Sequence, residues 1–230
     1  MQKTLGIIGG MGPLATADLF KKIVLLTDAK RDQEHLHILI DNNTAIPDRT
    51  AYILGSGEKP TKYLIDSAKK LENMGAEYLI MPCNTAHYFY EEIVKEINIP
   101  FLNMIEETAR FIKYNFSTMH KVGLLATDGT CISGIYDQYF NKFNIPLMKP
   151  DKVKQPYIMD LIYDIKSGKR DISLDRFYQT LEDLKQAGVE IFILGCTELS
   201  SAHEIYQFEG NFADPLEIIA KSAIRFGKNI

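Results

Sequence analysis

The sequence predicts an α/β fold of two similar lobes, each a parallel sheet flanked by helices. Two observations lead to this prediction. Short apolar runs alternate with segments of helical periodicity along the chain, and the two halves of the chain repeat each other. With 230 residues, the chain is long enough for one large domain or two small ones.

The predicted strands are short apolar runs bounded by glycine, proline or polar residues. They cover residues 4–9, 36–41, 77–82, 99–103, 121–126, 145–149 and 190–195. Segments with apolar residues at helical spacing lie between them. The predicted helices cover residues 13–28, 60–74, 86–97, 104–116, 131–143, 154–167 and 173–187, and a last helix begins at Asp214 and Pro215. Because strands and helices alternate, we expect parallel pairing in each sheet and helices on its faces.

The internal repeat is clearest in the segments GAEYLIMPCNTAH and GVEIFILGCTELS, which begin at Gly75 and Gly188. Each glycine lies eight residues before a cysteine, Cys83 in the first half and Cys196 in the second. An apolar helical pattern precedes both glycines, so each is predicted to end a helix that leads into a buried strand. A second match aligns TLGIIGGMGP with KVGLLATDGT, near the start of each half. The chain is therefore predicted to contain two related α/β halves.

The N-terminal lobe is predicted to comprise residues 1–100 and 208–230, and the C-terminal lobe residues 101–207. The last helix is expected to return to the first lobe, which makes that lobe discontinuous. Ligands of open parallel sheets bind outside the carboxyl ends of the strands. Because Cys83 and Cys196 follow such strand ends, one in each lobe, we expect the thiols to face each other across a cleft between the lobes. The active site is predicted to lie in this cleft.

Each cysteine is followed by residues that favour a helix N-terminus, namely Asn84 and Thr85 in the first half, and Thr197 and Glu198 in the second. A helix N-terminus stabilises a nearby anion, either a thiolate or a ligand carboxylate. Two thiols on opposite sides of one carbon atom suit proton transfer with inversion. The thiolate removes the α-proton, the thiol delivers a proton to the opposite face, and fixed N–H donors around the carboxylate stabilise the carbanion.

Charge and composition exclude several other classes of function. The net charge of −4 and the pI of about 5.8 argue against a nucleic-acid or anionic-membrane partner, since both require a basic face. The N-terminal apolar run is short and enters a glycine-rich turn, so we interpret it as a strand and expect a cytoplasmic protein. The three cysteines form neither a disulfide framework nor a zinc motif, and no metal site is predicted.

Six segments together resemble the PLP-independent aspartate/glutamate racemase superfamily: GIIGGMGPLAT, NNTAIPDRTAYILG, MPCNTAH, MIEET, GLLATDGT and GCTE. They occur in order from Gly6 to Glu198. Glutamate racemases usually have histidine after GCT, so the glutamate found here makes the chain most similar to the aspartate racemases of that superfamily. The resemblance implies two α/β lobes with the site between them, a homodimer, no cofactor and a dicarboxylic amino acid as substrate.

The resemblance also implies roles for individual residues. Cys83 and Cys196 match the two catalytic bases, which serve opposite enantiomers. Asn84, Thr85 and Thr197 match residues that hold the α-carboxylate or the amino group. The other predicted substrate-binding residues are Met11 in the first-strand loop, Arg49 and Lys166 as cations, Thr127 and Thr130 in the corresponding loop of the second half, and Glu198. An arginine suits this role because its guanidinium binds a carboxylate through two hydrogen bonds.

Purely structural interpretations remain open for these positions. Arg49 and Lys166 are also typical of solvated surface charges, and the threonines and Asn84 are typical of caps and turns. His87 lies one helical turn after Cys83 and is predicted to act indirectly. Cys131 is predicted to be structural, because Leu14 occupies its place in the first half.

Three alternative functions also remain open. The first is a broad-specificity, glutamate or hydantoin racemase-like enzyme on the same scaffold. The second is a thiol redox pair or a metal-sensing site. The third is a small-molecule binding protein that uses the cleft without chemistry.

Overall fold

A computed structural model of the chain describes residues 2–116 and 121–230. It has the predicted α/β fold of two lobes, each containing a parallel sheet flanked by helices. The strands in these residues are β1 Leu5–Gly9, β2 Ile38–Asn42, β3 Tyr78–Ile80, β4 Val122–Ala126, β5 Leu147–Met148, β6 Ile191–Gly195 and β7 Phe212–Ala213. The α-helices are α1 Pro13–Leu26, α2 Arg49–Ile53, α3 Thr61–Asn73, α4 Tyr90–Val94, α5 Met104–Asn115, α6 Asp128–Ser133, α7 Ile135–Lys142, α8 Gln155–Lys166, α9 Asp175–Gln186, α10 Thr197–Tyr206 and α11 Pro215–Lys228.

The two sheets have equivalent strand orders. The first is β2-β1-β3 and the second is β5-β4-β6-β7, and every pair of neighbouring strands is parallel. The predicted strand at 99–103 is reduced to one parallel bridge, between Leu79 and Phe101. This bridge adjoins β3 as β7 adjoins β6. β7 was not predicted, because two residues are too few to show an alternating pattern.

The repeated glycines Gly75 and Gly188 have the same structural role in both halves. They follow α3 and α9 and have φ angles of +99° and +90°, a left-handed conformation that glycine adopts without steric cost. In both cases the next residue donates its N–H to the carbonyl five residues earlier, at 3.0 Å. The repeat in the sequence therefore reflects two matching turns that direct a helix into a central strand.

Each half ends in a helix that packs against the other half. α5 follows the first sheet, but Ile105, Ala109 and Ile112 pack in a buried cluster with residues of β4 and β6. α11 follows the second sheet, but its apolar face packs with residues of β1 and α1. The two helices also contact each other. Two central helices therefore join the sheets, while the exact lobe boundaries near residues 100 and 208 stay a prediction.

Three helical segments differ from the prediction. The predicted helix 86–97 is instead a 3₁₀ helix, Thr85–Phe89, followed by the short α4. The predicted helix 131–143 is divided into α6 and α7 at Gly134, which has a φ angle of +67°. α2 was not predicted, because it has only five residues within a polar, proline-containing loop. No helix in the described part of the chain is long and apolar enough to cross a membrane.

Candidate active site

A small cleft at the carboxyl ends of the central strands contains both repeated cysteines. Cys83 lies shortly after β3 and Cys196 directly after β6, and both side chains are buried. The cleft is lined by Met11, Asp48, Arg49, Thr50, Cys83, Asn84, Thr85, Thr127, Ile162, Tyr163, Lys166, Cys196, Thr197 and Glu198. Its free volume is about 30 Å³, so a ligand larger than water enters only if the surrounding side chains or lobes move apart.

The cleft contains every predicted site residue except Thr130. Thr130 is fully buried behind the cleft wall, where its hydroxyl lies 2.8 Å from that of Thr85. Sequence reasoning missed Asp48 and Thr50, which neighbour Arg49 on α2, and Ile162 and Tyr163, which lie on α8. Ile162 and Tyr163 lie four and three residues before Lys166, which places them on the same face of α8. This spacing could have predicted them as cleft residues.

The thiol of Cys196 is hydrogen-bonded to a carboxylate. Its Sγ donates to Oε2 of Glu198 at 2.9 Å, and the hydroxyl of Thr197 donates to the same oxygen at 3.3 Å. Burial raises the pKa of Cys196 well above the usual value of a thiol, and the negative charges of Glu198 and Cys83 raise it further. Cys196 is therefore a neutral thiol near neutral pH.

The turn that carries Cys83 is held by the buried His87. Nδ1 of His87 lies 2.8 Å from the Cys83 carbonyl oxygen, and Nε2 accepts the backbone N–H of Met104 at 3.1 Å. Because Nε2 is an acceptor, the ring proton is on Nδ1 and is donated to Cys83. Burial lowers the pKa of His87 to about 4, so the ring is neutral near pH 7. His87 thus links the Cys83 turn to the start of α5.

Asn84 presents an unpaired donor at the cleft. Its Oδ1 accepts a hydrogen bond from the hydroxyl of Tyr136 at 2.6 Å, and both residues are buried. Its Nδ2 is buried and has no partner among the described residues. An unpaired buried N–H is costly, so a residue that lines a cleft in this way favours an anionic ligand there. Tyr136, which the sequence did not indicate, orients this amide.

The guanidinium of Arg49 also has no acidic partner in the described part of the chain. Its Nη1 donates to the carbonyl oxygens of Ile46 and Pro47 at 3.4 and 3.1 Å, and its buried Nε is unpaired. Lys166 differs, because its Nζ lies 4.0 Å from Oδ2 of Asp48. Lys166 and Asp48 are half-exposed and join α8 to the N-terminus of α2. Among the described residues, the cleft thus holds an arginine without an acidic partner and a lysine–aspartate ion pair.

Hydroxyl groups connect the two lobes beside the cleft. Those of Thr85, Thr127 and Thr130 form a triangle with sides of 2.8 to 3.1 Å. Thr50 donates to Thr127 at 3.5 Å. Helices α6 and α2 approach each other closely at Gly129 and Thr50. A Cβ at Gly129 would lie 2.9 Å from the Cα of Thr50, so only glycine permits this approach. The predicted loop of the second half therefore positions the lobes relative to each other.

Chemically, the cleft combines two thiols from different lobes with unpaired N–H donors. This arrangement is suited to removing a proton from one face of a bound acid and adding one to the other face. Within residues 2–116 and 121–230, no cluster of three or more histidine, cysteine or acidic side chains could hold a metal ion.

A family model, a related sequence and a solved structure all indicate the same family for this chain. The family model described as Asp/Glu/Hydantoin racemase matches residues 8–223. The "Broad specificity amino-acid racemase RacX" of Bacillus subtilis is 29% identical over 226 residues, which covers 96% of each chain. The structure of the aspartate racemase of Picrophilus torridus has a TM-score of 0.86 and 32% identity, and the match covers 98% of this chain and 94% of that one.

A more distant neighbour shares the fold. The glutamate racemase of Francisella tularensis, solved in complex with D-glutamate, has a TM-score of 0.69 at 20% identity, over 99% of this chain and 82% of that one. The family match spans nearly the whole chain and includes both cysteine-bearing strand ends. The chain therefore belongs to the Asp/Glu/hydantoin racemase family and is a racemase of the Asp/Glu type.

Proposed function

We propose that this protein is a PLP-independent aspartate racemase, which interconverts L- and D-aspartate by proton transfer between Cys83 and Cys196. The observation that carries the proposal is the shared cleft: two thiols from different lobes line it together with an arginine that has no acidic partner in the described residues. A dicarboxylic amino acid supplies the missing negative charge.

In the proposed mechanism, the two cysteines have different roles for each enantiomer. Cys196 is the first proton donor, because burial and the Glu198 carboxylate keep its thiol neutral. The role of base is assigned to Cys83, which no described carboxylate contacts. It removes the α-proton, Cys196 protonates the opposite face, and the two cysteines have then exchanged roles. The opposite enantiomer is processed by the exchanged form.

Substrate binding is proposed to use the unpaired donors of the cleft. Nδ2 of Asn84, with the hydroxyls of Thr85 and Thr197, binds the α-carboxylate and stabilises the carbanion. Arg49 binds the second carboxylate, and Lys166 adds a second cation from the other lobe. The similarity to the aspartate racemase of Picrophilus torridus supports aspartate as the dicarboxylate.

A broad-specificity amino-acid racemase is the second candidate, and the relative from Bacillus subtilis favours it. Arg49 distinguishes the two, because a specific site for a second carboxylate requires a cation and a site for neutral side chains does not. The homodimer that the family resemblance implies and the cytoplasmic location expected from the N-terminal segment stay predictions.

The test is proton NMR of L-aspartate with the purified, reduced protein in D₂O, without added PLP. We expect the α-proton signal to disappear and D-aspartate to be found by chiral analysis. The Cys83→Ser/Cys196→Ser double variant is the control and should leave the signal intact. If the α-proton persists with aspartate, glutamate and a panel of neutral amino acids, the racemase proposal fails and a redox or binding function takes its place.

A further inference from the structure

We propose that Glu198 is the proton relay of Cys196: it exchanges the Cys196 proton with water in a second cavity behind the cleft, and so resets the free enzyme after turnover. The inference rests on the proposed two-thiol racemisation. It gives Glu198 a task other than substrate binding.

The carboxylate of Glu198 lies between two cavities. On one side it lines the cleft and accepts the hydrogen bond from the Cys196 thiol at 2.9 Å. On the other side it lines a separate cavity of about 110 Å³, enclosed by the N-terminus of α1 and by α8 and α10. Leu14 and Lys166 line this second cavity, and both are exposed to solvent. Water therefore has access to the carboxylate without passing through the cleft.

The start of α1 adjoins this carboxylate. Gly12 lines the second cavity, and a Cβ built on it would lie 3.8 Å from Oε1 of Glu198, which is van der Waals contact. Oε2 is occupied by the Cys196 thiol and the Thr197 hydroxyl, while no described side chain donates to Oε1. One oxygen thus contacts the reacting thiol, and the other lies on the side of the second cavity.

The Cys83 half of the site has no equivalent group. The residues that follow Cys83 are an amide and a hydroxyl, Asn84 and Thr85, and no described carboxylate hydrogen-bonds its thiol. When Cys196 has given its proton to the substrate, its thiolate lies beside the Glu198 carboxylate, and the two negative charges repel each other. The exchanged form of the enzyme is therefore the less stable one and favours rapid reprotonation.

The proposed reset conserves atoms and charge. After product release, Cys83 is a thiol and Cys196 a thiolate. Water or a buffer acid protonates the Glu198 carboxylate from the second cavity, and the carboxyl proton passes to the Cys196 thiolate. Cys83 releases one proton to solvent, so the resting form returns with no net gain or loss of protons.

The test compares two rates in the Glu198→Gln variant. Net conversion of one pure enantiomer requires a reset in every turnover. Transfer of isotopic label from the L- to the D-form in a racemic mixture does not require this reset. Turnover of the L-form leaves the enzyme in the form that accepts the D-form, and turnover of the D-form restores it. We expect Glu198→Gln to lower net conversion by about 100-fold more than it lowers label transfer, as for the loss of an acid–base group.

Two further variants serve as controls. Glu198→Asp keeps the carboxylate and should retain more net conversion than Glu198→Gln. Glu204→Gln removes a carboxylate from the same helix outside the cleft and should change neither rate. The relay would be overturned if net conversion and label transfer fell by the same factor in Glu198→Gln and in Glu198→Asp. It would also be overturned if neither rate changed in Glu198→Gln. A wild-type protein that racemises nothing would overturn the proposed function itself, and the relay with it.

Discussion

His87 donates its Nδ1–H to the backbone carbonyl of Cys83 over 2.8 Å, and its opposite nitrogen accepts the N–H that begins α5. A fully buried imidazole thus fixes the turn that carries one of the two thiols to a helix that packs on the other lobe. Because both ring nitrogens of this neutral histidine are hydrogen-bonded, its protonation affects the stability of the fold.

His87→Gln should weaken the dependence of stability on pH. The pKa of His87 is about 4 in the folded state, whereas that of an unperturbed histidine is 6.5, so the unfolded chain binds a proton between these values while the folded protein does not. This contribution to stability is complete above pH 6.5 and is lost as the pH falls towards 4, which amounts to about 2 kcal/mol between pH 7 and pH 5. Urea unfolding at both pH values measures it. A variant as sensitive to pH as wild type would contradict the assignment.

Cys83→Ser and Cys196→Ser should each abolish racemisation but leave one half-reaction. Each variant keeps a base on one face only, so each should exchange the α-proton of one enantiomer with solvent, and the two variants should act on opposite enantiomers. Proton NMR in D₂O of each enantiomer measures this. Cys131→Ser is the matched control and should retain full activity, because Cys131 lies outside the cleft. Exchange of both enantiomers by either single variant would rule out the two-base mechanism.

Arg49→Leu should reduce kcat/KM for aspartate by about 100-fold, because the second carboxylate loses its charged partner in a buried site. Turnover of alanine, where detectable, should change far less. Steady-state assays with both amino acids measure the ratio, and Arg49→Lys, which keeps the charge but not the two-point geometry, should fall between. Equal losses on both amino acids would exclude the specificity role.

Gly129→Ala should destabilise the protein by about 1–3 kcal/mol, because the new Cβ would lie 2.9 Å from the Cα of Thr50 on the other lobe. The lobes must separate slightly, so activity should fall as well. Urea unfolding and kcat/KM measure the two effects. Ile132→Ala, at an exposed position of the same helix, should change stability by no more than about 0.5 kcal/mol. A fully stable Gly129→Ala variant would show that α2 moves away without cost.

Tyr136→Phe should raise KM with little change in the fold. The hydroxyl of Tyr136 donates to Oδ1 of Asn84 and so keeps the unpaired Nδ2 at the cleft. Without this hydroxyl, the side-chain amide of Asn84 is free to rotate. We expect KM to rise by about tenfold, which corresponds to one hydrogen bond to a charged ligand. Steady-state kinetics with unfolding curves as the control measure this. An unchanged KM would mean that Asn84 does not bind the substrate.

The internal repeat predicts two cysteines at strand ends, while Met11, Arg49, Thr127, Thr130 and Lys166 were predicted only from the family resemblance. The matched spacing from Gly75 and Gly188 to the two cysteines follows from two identical turns, each of which ends a helix and begins a central strand. The polar residues that follow each cysteine could be predicted from the same repeat. Asp48 and Thr50 were missed, since their presence in the cleft depends on a helix of five residues with no readable periodicity.

The sequence by itself determined the α/β class, the internal repeat and the strand-end position of both thiols, because these depend on local periodicity and on short-range turn chemistry. Only the tertiary structure decided which groups have partners. In the described part of the chain, Nε of Arg49 and Nδ2 of Asn84 have no hydrogen-bond partner, while the Cys196 thiol donates to Glu198. The hydroxyl of Thr85 contacts that of Thr130 from the other lobe. Such pairings depend on how the lobes pack, which places side chains distant in sequence within hydrogen-bond reach or leaves them without a partner.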